Sequence, residues 1–203
     1  GLPEVLTDGL RRREVAFGSS GATTSEVLAA DDPGSTGRRT TDYISDRAAA
    51  QTVLQWRGVA SVTASSSASD AGATLRLGPG TGPAAALDGD PLTRWVSGVY
   101  GEAVGQWLEL GLTAPMEVSG LTVTLSGGYP VQAQPARLRV TTDTGSVTTD
   151  IDRVDEAVAL ATSPGVTTRL RVELDAVGPG TPNGFGIAEL AVPGIDPVPE
   201  LAL

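Results

Sequence analysis

Histidine, cysteine and lysine are absent from the 203 residues, so all 14 basic side chains are arginine. Without them there is no imidazole base, thiol nucleophile or zinc site of imidazole and thiolate, and no Schiff-base or P-loop lysine. Chemistry is left to carboxylates, hydroxyls, arginine or a hard cation. Positive charge is also short: 24 acidic residues set the formal charge at -10. A phosphate backbone needs a basic surface, so nucleic acid is not expected as a partner. No apolar run approaches the ~18 residues of a membrane span, and Gly1-Leu2-Pro3 does not open a signal peptide. The expectation is a soluble piece with no direct membrane span. The lack of cysteine leaves the compartment open. Aromatics are few, with three Trp, three Tyr and two Phe, so any sugar platform has a short list of candidates.

What is present is alternation. Leu121, Val123 and Leu125 interleave with Thr122 and Thr124. Leu138 and Val140 interleave with Arg137 and Arg139, and Leu170, Val172 and Leu174 with Arg169, Arg171 and Glu173. Period-two strands with one dry and one wet face, punctuated by Gly, Pro and Asp, predict an all-β antiparallel β-sandwich. Asp143-Thr144-Gly145-Ser146 predicts a hairpin turn, and residues 154–160 allow a short helical turn. The chain divides into an irregular N-terminal extension (1–58), the sandwich (59–193) and an extended, proline-punctuated tail (194–203). The extension is expected to dock on the sandwich, because Phe17, Tyr43, Ile44, Val53, Leu54 and Trp56 are too few for a core of their own.

The most informative string is Ala85-Ala86-Leu87-Asp88-Gly89-Asp90-Pro91-Leu92-Thr93-Arg94-Trp95. Two carboxylates, a glycine for a tight turn and a hydroxyl three residues on can converge oxygens on a hard cation. It is not an EF-hand loop, since the third acidic ligand and the glutamate at loop position 12 are missing. By itself Asp-Gly-Asp-Pro is more often a plain turn.

With Gln106-Trp107-Leu108-Glu109-Leu110-Gly111-Leu112 and Ile187-Ala188-Glu189-Leu190-Ala191-Val192 following in order, the string resembles the discoidin, or coagulation-factor type C, family of galactose-binding-like jelly rolls. The resemblance covers about residues 59–193. It implies one structural calcium ion shared by Asp88, Asp90, Thr93 and Glu189 with nearby carbonyls, and a core role for Trp95.

A narrower resemblance rests on Leu10-Arg11-Arg12-Arg13-Glu14 with Phe17-Gly18, then Gln51-Thr52-Val53, then Gly58-Val59 leading into Val62-Thr63-Ala64-Ser65-Ser66-Ser67. These are similar to the extracytoplasmic part of actinobacterial α-(1→3)-arabinofuranosyltransferases of the AftD type. That resemblance implies a non-catalytic carbohydrate-binding module on the cell-wall side of a membrane-anchored glycosyltransferase. Its partners would be an arabinan-like cell-wall polysaccharide and neighbouring domains of the parent enzyme. The alternative is a structural module that packs on those domains and binds no sugar.

Sugar recognition needs an aromatic face and planar polar groups. The candidate loops, 97–105, 126–135 and 175–185, carry Tyr100, Tyr129, Asn183 and Phe185. Sugar binders of the discoidin family often use a loop histidine, and this chain has none. Arg11-Arg12-Arg13 reads as a solvated or docking face. No carboxylate pair stands out for glycoside hydrolysis, which disfavours a small glycosidase.

Overall fold

The structure is a computed structural model and describes residues 53–70, 73–77, 80–90, 92–126, 134–180 and 183–202. The docking of Phe17, Tyr43 and Ile44 of the extension and the ligand role of Tyr129 fall on residues outside these. Among the described residues eleven strands run in chain order: β1 Val53–Arg57, β2 Val59–Ala64, β3 Trp95–Val96, β4 Trp107–Glu117, β5 Thr122–Leu125 and β6 Pro135–Thr142, followed by β7 Gly145–Asp150, β8 Ala157–Ala159, β9 Val166–Val177, β10 Gly186–Ala191 and β11 Asp196–Ala202. A 3-10 turn, Pro83–Ala86, is the one helical element among the described residues.

A seven-stranded sheet takes the order β11-β1-β2-β4-β9-β6-β7 and a four-stranded sheet the order β3-β10-β5-β8, every pairing antiparallel. This is the all-β antiparallel sandwich that the alternation predicts, in the jelly-roll class that the discoidin resemblance implies. The β6–β7 hairpin turns at Asp143-Thr144, closing on the pair Thr142↔Gly145. Residues 154–156 are bends leading into strand β8 instead of a helical turn. The reason is that Val158 pairs with Val123 at the edge of the smaller sheet, and tertiary pairing overrides local propensity.

Why the sheets pack is legible in β4, β6 and β9. Leu108, Leu110, Leu138, Val140, Leu170, Val172 and Leu174 are fully buried on one face, against Val123, Leu125, Ile187 and Leu190 of the smaller sheet. Each such side chain contributes about 1.5–3 kcal/mol when withdrawn from water. Trp95 and Phe185 meet edge to face at 5.5 Å and 88°, both fully buried. Trp56 is also part of this core and donates its indole N–H to Leu87 O at 2.8 Å. β1 and β11 pair from Val53↔Ala202 to Arg57↔Asp196, so residues of the extension and of the tail both join the larger sheet.

Candidate functional site

The acidic loop is clamped at both ends by buried neighbours. Ala86 and Leu87 precede Asp88, and Trp95 follows Arg94 into β3, all 2 % exposed or less. Between them Gly89 takes φ 73, a left-handed conformation that a side chain resists, which is why glycine stands between the two acids. Asp88 Oδ1 accepts the Asp90 N–H at 2.9 Å, and Asp90 Oδ1 accepts the Leu92 N–H at 2.9 Å.

Thr93 Oγ1 is the centre of the cluster. It lies 2.8 and 2.7 Å from the two carboxylate oxygens of Asp88, 2.9 Å from Asp90 O and 3.3 Å from Ala85 O. A hydroxyl has one hydrogen and satisfies one of these acceptors well. Asp90 O also accepts the Thr93 N–H at 3.1 Å, and Asp88 Oδ1 the Asp90 N–H, so the loop gathers more acceptor oxygens than donors.

Glu189 approaches from β10. The β5–β10 register shifts between Ile187 and Glu189, an irregularity that lets Ile187 and Leu190 both enter the core while Glu189 turns toward the loop. The Gly89 N–H bonds to its carboxylate. Oε2 is buried and has no hydrogen-bond partner among the described residues. Burial, and then the negative charge of Asp88, push the Glu189 carboxyl up to about 7, against the Gly89 N–H that pulls it down.

The four residues expected at the metal are therefore neighbours, with one change of atom. Asp90 enters the cluster through its main-chain carbonyl, while its carboxylate caps the turn at Leu92. Among the described residues no three acidic side chains gather into a metal cluster. The oxygens that meet are carboxylate, hydroxyl and carbonyl in mixture, and the Ala85 and Asp90 carbonyls carry no signal in a sequence. Such a neutral-and-anionic oxygen set suits a hard divalent cation that takes about six to eight oxygens. It does not suit a soft metal.

The four ligand-binding candidates separate. Tyr100 is 52 % exposed, with its N–H bonded to Thr74 Oγ1 at 3.3 Å. Asn183 Oδ1 accepts the Gly101 N–H at 2.9 Å, bracing the same loop from the other side. Phe185 must be corrected: it is fully buried against Trp95, and its N–H is held by Ser97 Oγ, so it offers no face to a ligand. The apolar free energy of placing Phe185 in the core outweighs any use at the surface. No helix among the described residues is long and apolar enough to cross a membrane.

Comparison with known proteins identifies the chain's relatives. The family model described as "Arabinofuranosyltransferase D, third carbohydrate binding module" matches residues 53–202, from the first residue of β1 to the last of β11. The alpha-(1->3)-arabinofuranosyltransferase of Mycolicibacterium smegmatis is 35% identical over 196 residues, covering 95% of this chain and 14% of that protein. Its Mycobacterium tuberculosis counterpart is 35% identical over 193 residues, covering 94% of this chain and 14% of that protein. A cryo-EM structure of arabinofuranosyltransferase AftD from Mycobacteria superposes with a TM-score of 0.65 at 37% identity, covering 83% of this chain and 13% of that one. The chain thus spans about 14% of the length of the relatives it matches. With its whole sandwich inside the family model, the chain belongs to the family of the third carbohydrate-binding module of arabinofuranosyltransferase D.

Proposed function

We propose that this chain is a non-catalytic, calcium-stapled module that binds an arabinan-like cell-wall glycan for a membrane-anchored arabinofuranosyltransferase, on the extracytoplasmic side. The observation that supports the glycan reading is the family match, which spans the sandwich from β1 to β11. Without histidine, cysteine and lysine, carboxylates, hydroxyls and arginine are the side chains left for chemistry here, and catalysis is assigned to other parts of such an enzyme.

Calcium is the cofactor that suits the oxygen cluster. Asp88, Thr93 and Glu189 would hold it through side chains, and Ala85 and Asp90 through carbonyls. The orphaned Glu189 Oε2 and the overcommitted Thr93 hydroxyl support the assignment. Bound there, the ion would cancel the repulsion among these oxygens and tie the early loop to β10, a structural role.

A ligand that binds only the native state raises stability by about 2.7 kcal/mol at a hundredfold excess over Kd. Thermal unfolding of the full chain should rise with added calcium and fall with chelator, and Asp88→Ala should abolish the difference. Insensitivity of wild-type melting to both additions would refute the ion. Calorimetric titration with arabinan tests the glycan reading. Absence of binding in calcium-replete protein would favour a module that only packs on neighbouring domains.

A further inference from the structure

The outer face of the seven-stranded sheet carries side chains that neither the acidic loop nor the loop around Tyr100 uses. Behind it lie the buried leucines and valines of β4, β9 and β6. In front, Arg171 donates Nε to Glu109 Oε2 at 2.7 Å, and its guanidinium lies 4.0 Å from the centre of the Trp107 ring. Arg139 bridges Glu173 at 3.2 Å and also pairs with Asp175, which Arg137 grips as well. Asp175 is only 9 % exposed within this pairing.

The charges of this face nearly cancel: Arg137, Arg139, Arg169 and Arg171 against Glu109, Asp143, Glu173, Asp175 and Asp150, the last opposite Arg137, in a chain of net charge -10. A near-neutral patch on an acidic molecule neither attracts nor repels a polyion strongly, and it suits a neutral polyhydroxylated ligand. Its planar groups are already fixed by one another, so little side-chain freedom remains to be lost on binding. Arg171 and Arg137 commit Nε to their carboxylates, which leaves Nη donors for hydroxyl groups.

Trp107 points the same way. The other two tryptophans are core residues whose indole N–H groups are bonded to Leu87 O and Ser66 O. Trp107 stands half-buried on the outer face, where an indole edge and a stacked guanidinium match the C–H and O–H surfaces of a sugar. The ladder crosses three adjacent strands, about 10 Å at ~4.8 Å per step, which is longer than a single furanose ring.

We infer that a neutral glycan chain binds across β4, β9 and β6, with Trp107 as its apolar contact and Arg171 and Arg137 as donors to its hydroxyls. The inference rests on the glycan-binding reading above and assigns that reading a surface. Calorimetry on the full chain in calcium, with linear arabinan and with free arabinose, tests it on Trp107→Ala, Arg171→Gln and Tyr100→Ala. Arabinan should bind more tightly than arabinose, and Trp107→Ala and Arg171→Gln should each weaken it about tenfold, the scale of a central contact residue. Should Trp107→Ala fail to fold, Arg171→Gln decides. Unaltered affinity in a folded Arg171→Gln, or a loss confined to Tyr100→Ala, would overturn the sheet-face site and leave the glycan reading standing. No binding of arabinan by the wild type would overturn both.

Discussion

Glu189 shows how much a single buried oxygen can reveal. An unpaired acceptor in a buried place costs about 1–3 kcal/mol, and among the described residues Oε2 has no hydrogen-bond partner, a cost that a proton or the proposed cation would relieve. Glu189→Gln replaces an acceptor with a donor amid surplus acceptors. In chelator the variant should therefore melt at or above the wild type, and in calcium it should lose the wild type's gain. A variant that melts lower than wild type in chelator would count against this account. Asp143 is the opposite case. It accepts the Thr168 N–H and hydroxyl at 2.7 and 2.6 Å and Arg169 Nε at 3.0 Å, which hold its carboxyl at about 2, well below the ordinary 3.8. A carboxylate with a depressed folded pKa stabilises the native state above its unfolded pKa, and that contribution disappears as pH falls from about 4 toward 2. Asp143→Asn should flatten the acid limb of a melting-temperature profile over that window. An unchanged slope would show that the turn does not depend on the charge.

At the scale of elements, β-strands and loops answer to different constraints. The strands tolerate a new methyl where a flexible side chain can move aside. A Cβ at Gly111 in β4 would lie 2.5 Å from Ser61 Oγ, a hydroxyl that can rotate away. At Gly98, in the loop after β3, a Cβ would meet Ser67 O at 2.5 Å and Ser67 C at 2.9 Å, both main-chain atoms that cannot rotate away. Gly98→Ala should accordingly lose about 1–3 kcal/mol by denaturant titration, the usual cost of overpacking, and Gly111→Ala should lose less. Equal losses would mean that the loop around Gly98 yields as readily as a serine rotamer. The alternation in β5, β6 and β9 was readable because a period of two dictates which residues share a face. The register shift that turns Glu189 away from the core was not, because such a shift depends on the partner strand.

For the molecule as a whole, the pairing of β1 with β11 joins residues about 150 positions apart in the chain, a separation that local reading does not bridge. β1 meets β2 through a single pair, Trp56↔Val59, and meets β11 over most of its length. Deleting residues 196–203 should thus release β1, uncover Trp56 and lower the melting temperature, with earlier proteolytic cleavage near residues 53–57. An unaltered melting curve would mean that Trp56 alone holds the strand.

The sequence by itself determined the all-β class, the three main alternating strands, the acidic loop, the late glutamate and the families that they resemble, since side-chain period and local turn chemistry are properties of neighbouring residues. It also determined which chemistries were excluded, because a missing histidine, cysteine or lysine is missing from every fold. Only the tertiary structure decided which oxygens meet. The carbonyls of Ala85 and Asp90 are common to all residues and become distinctive only when Thr93 and Asp88 fold onto them. It also sent Phe185 into the core and left Trp107 on the outer face with Arg171, because burial is decided by the opposing sheet, which no local stretch of sequence contains.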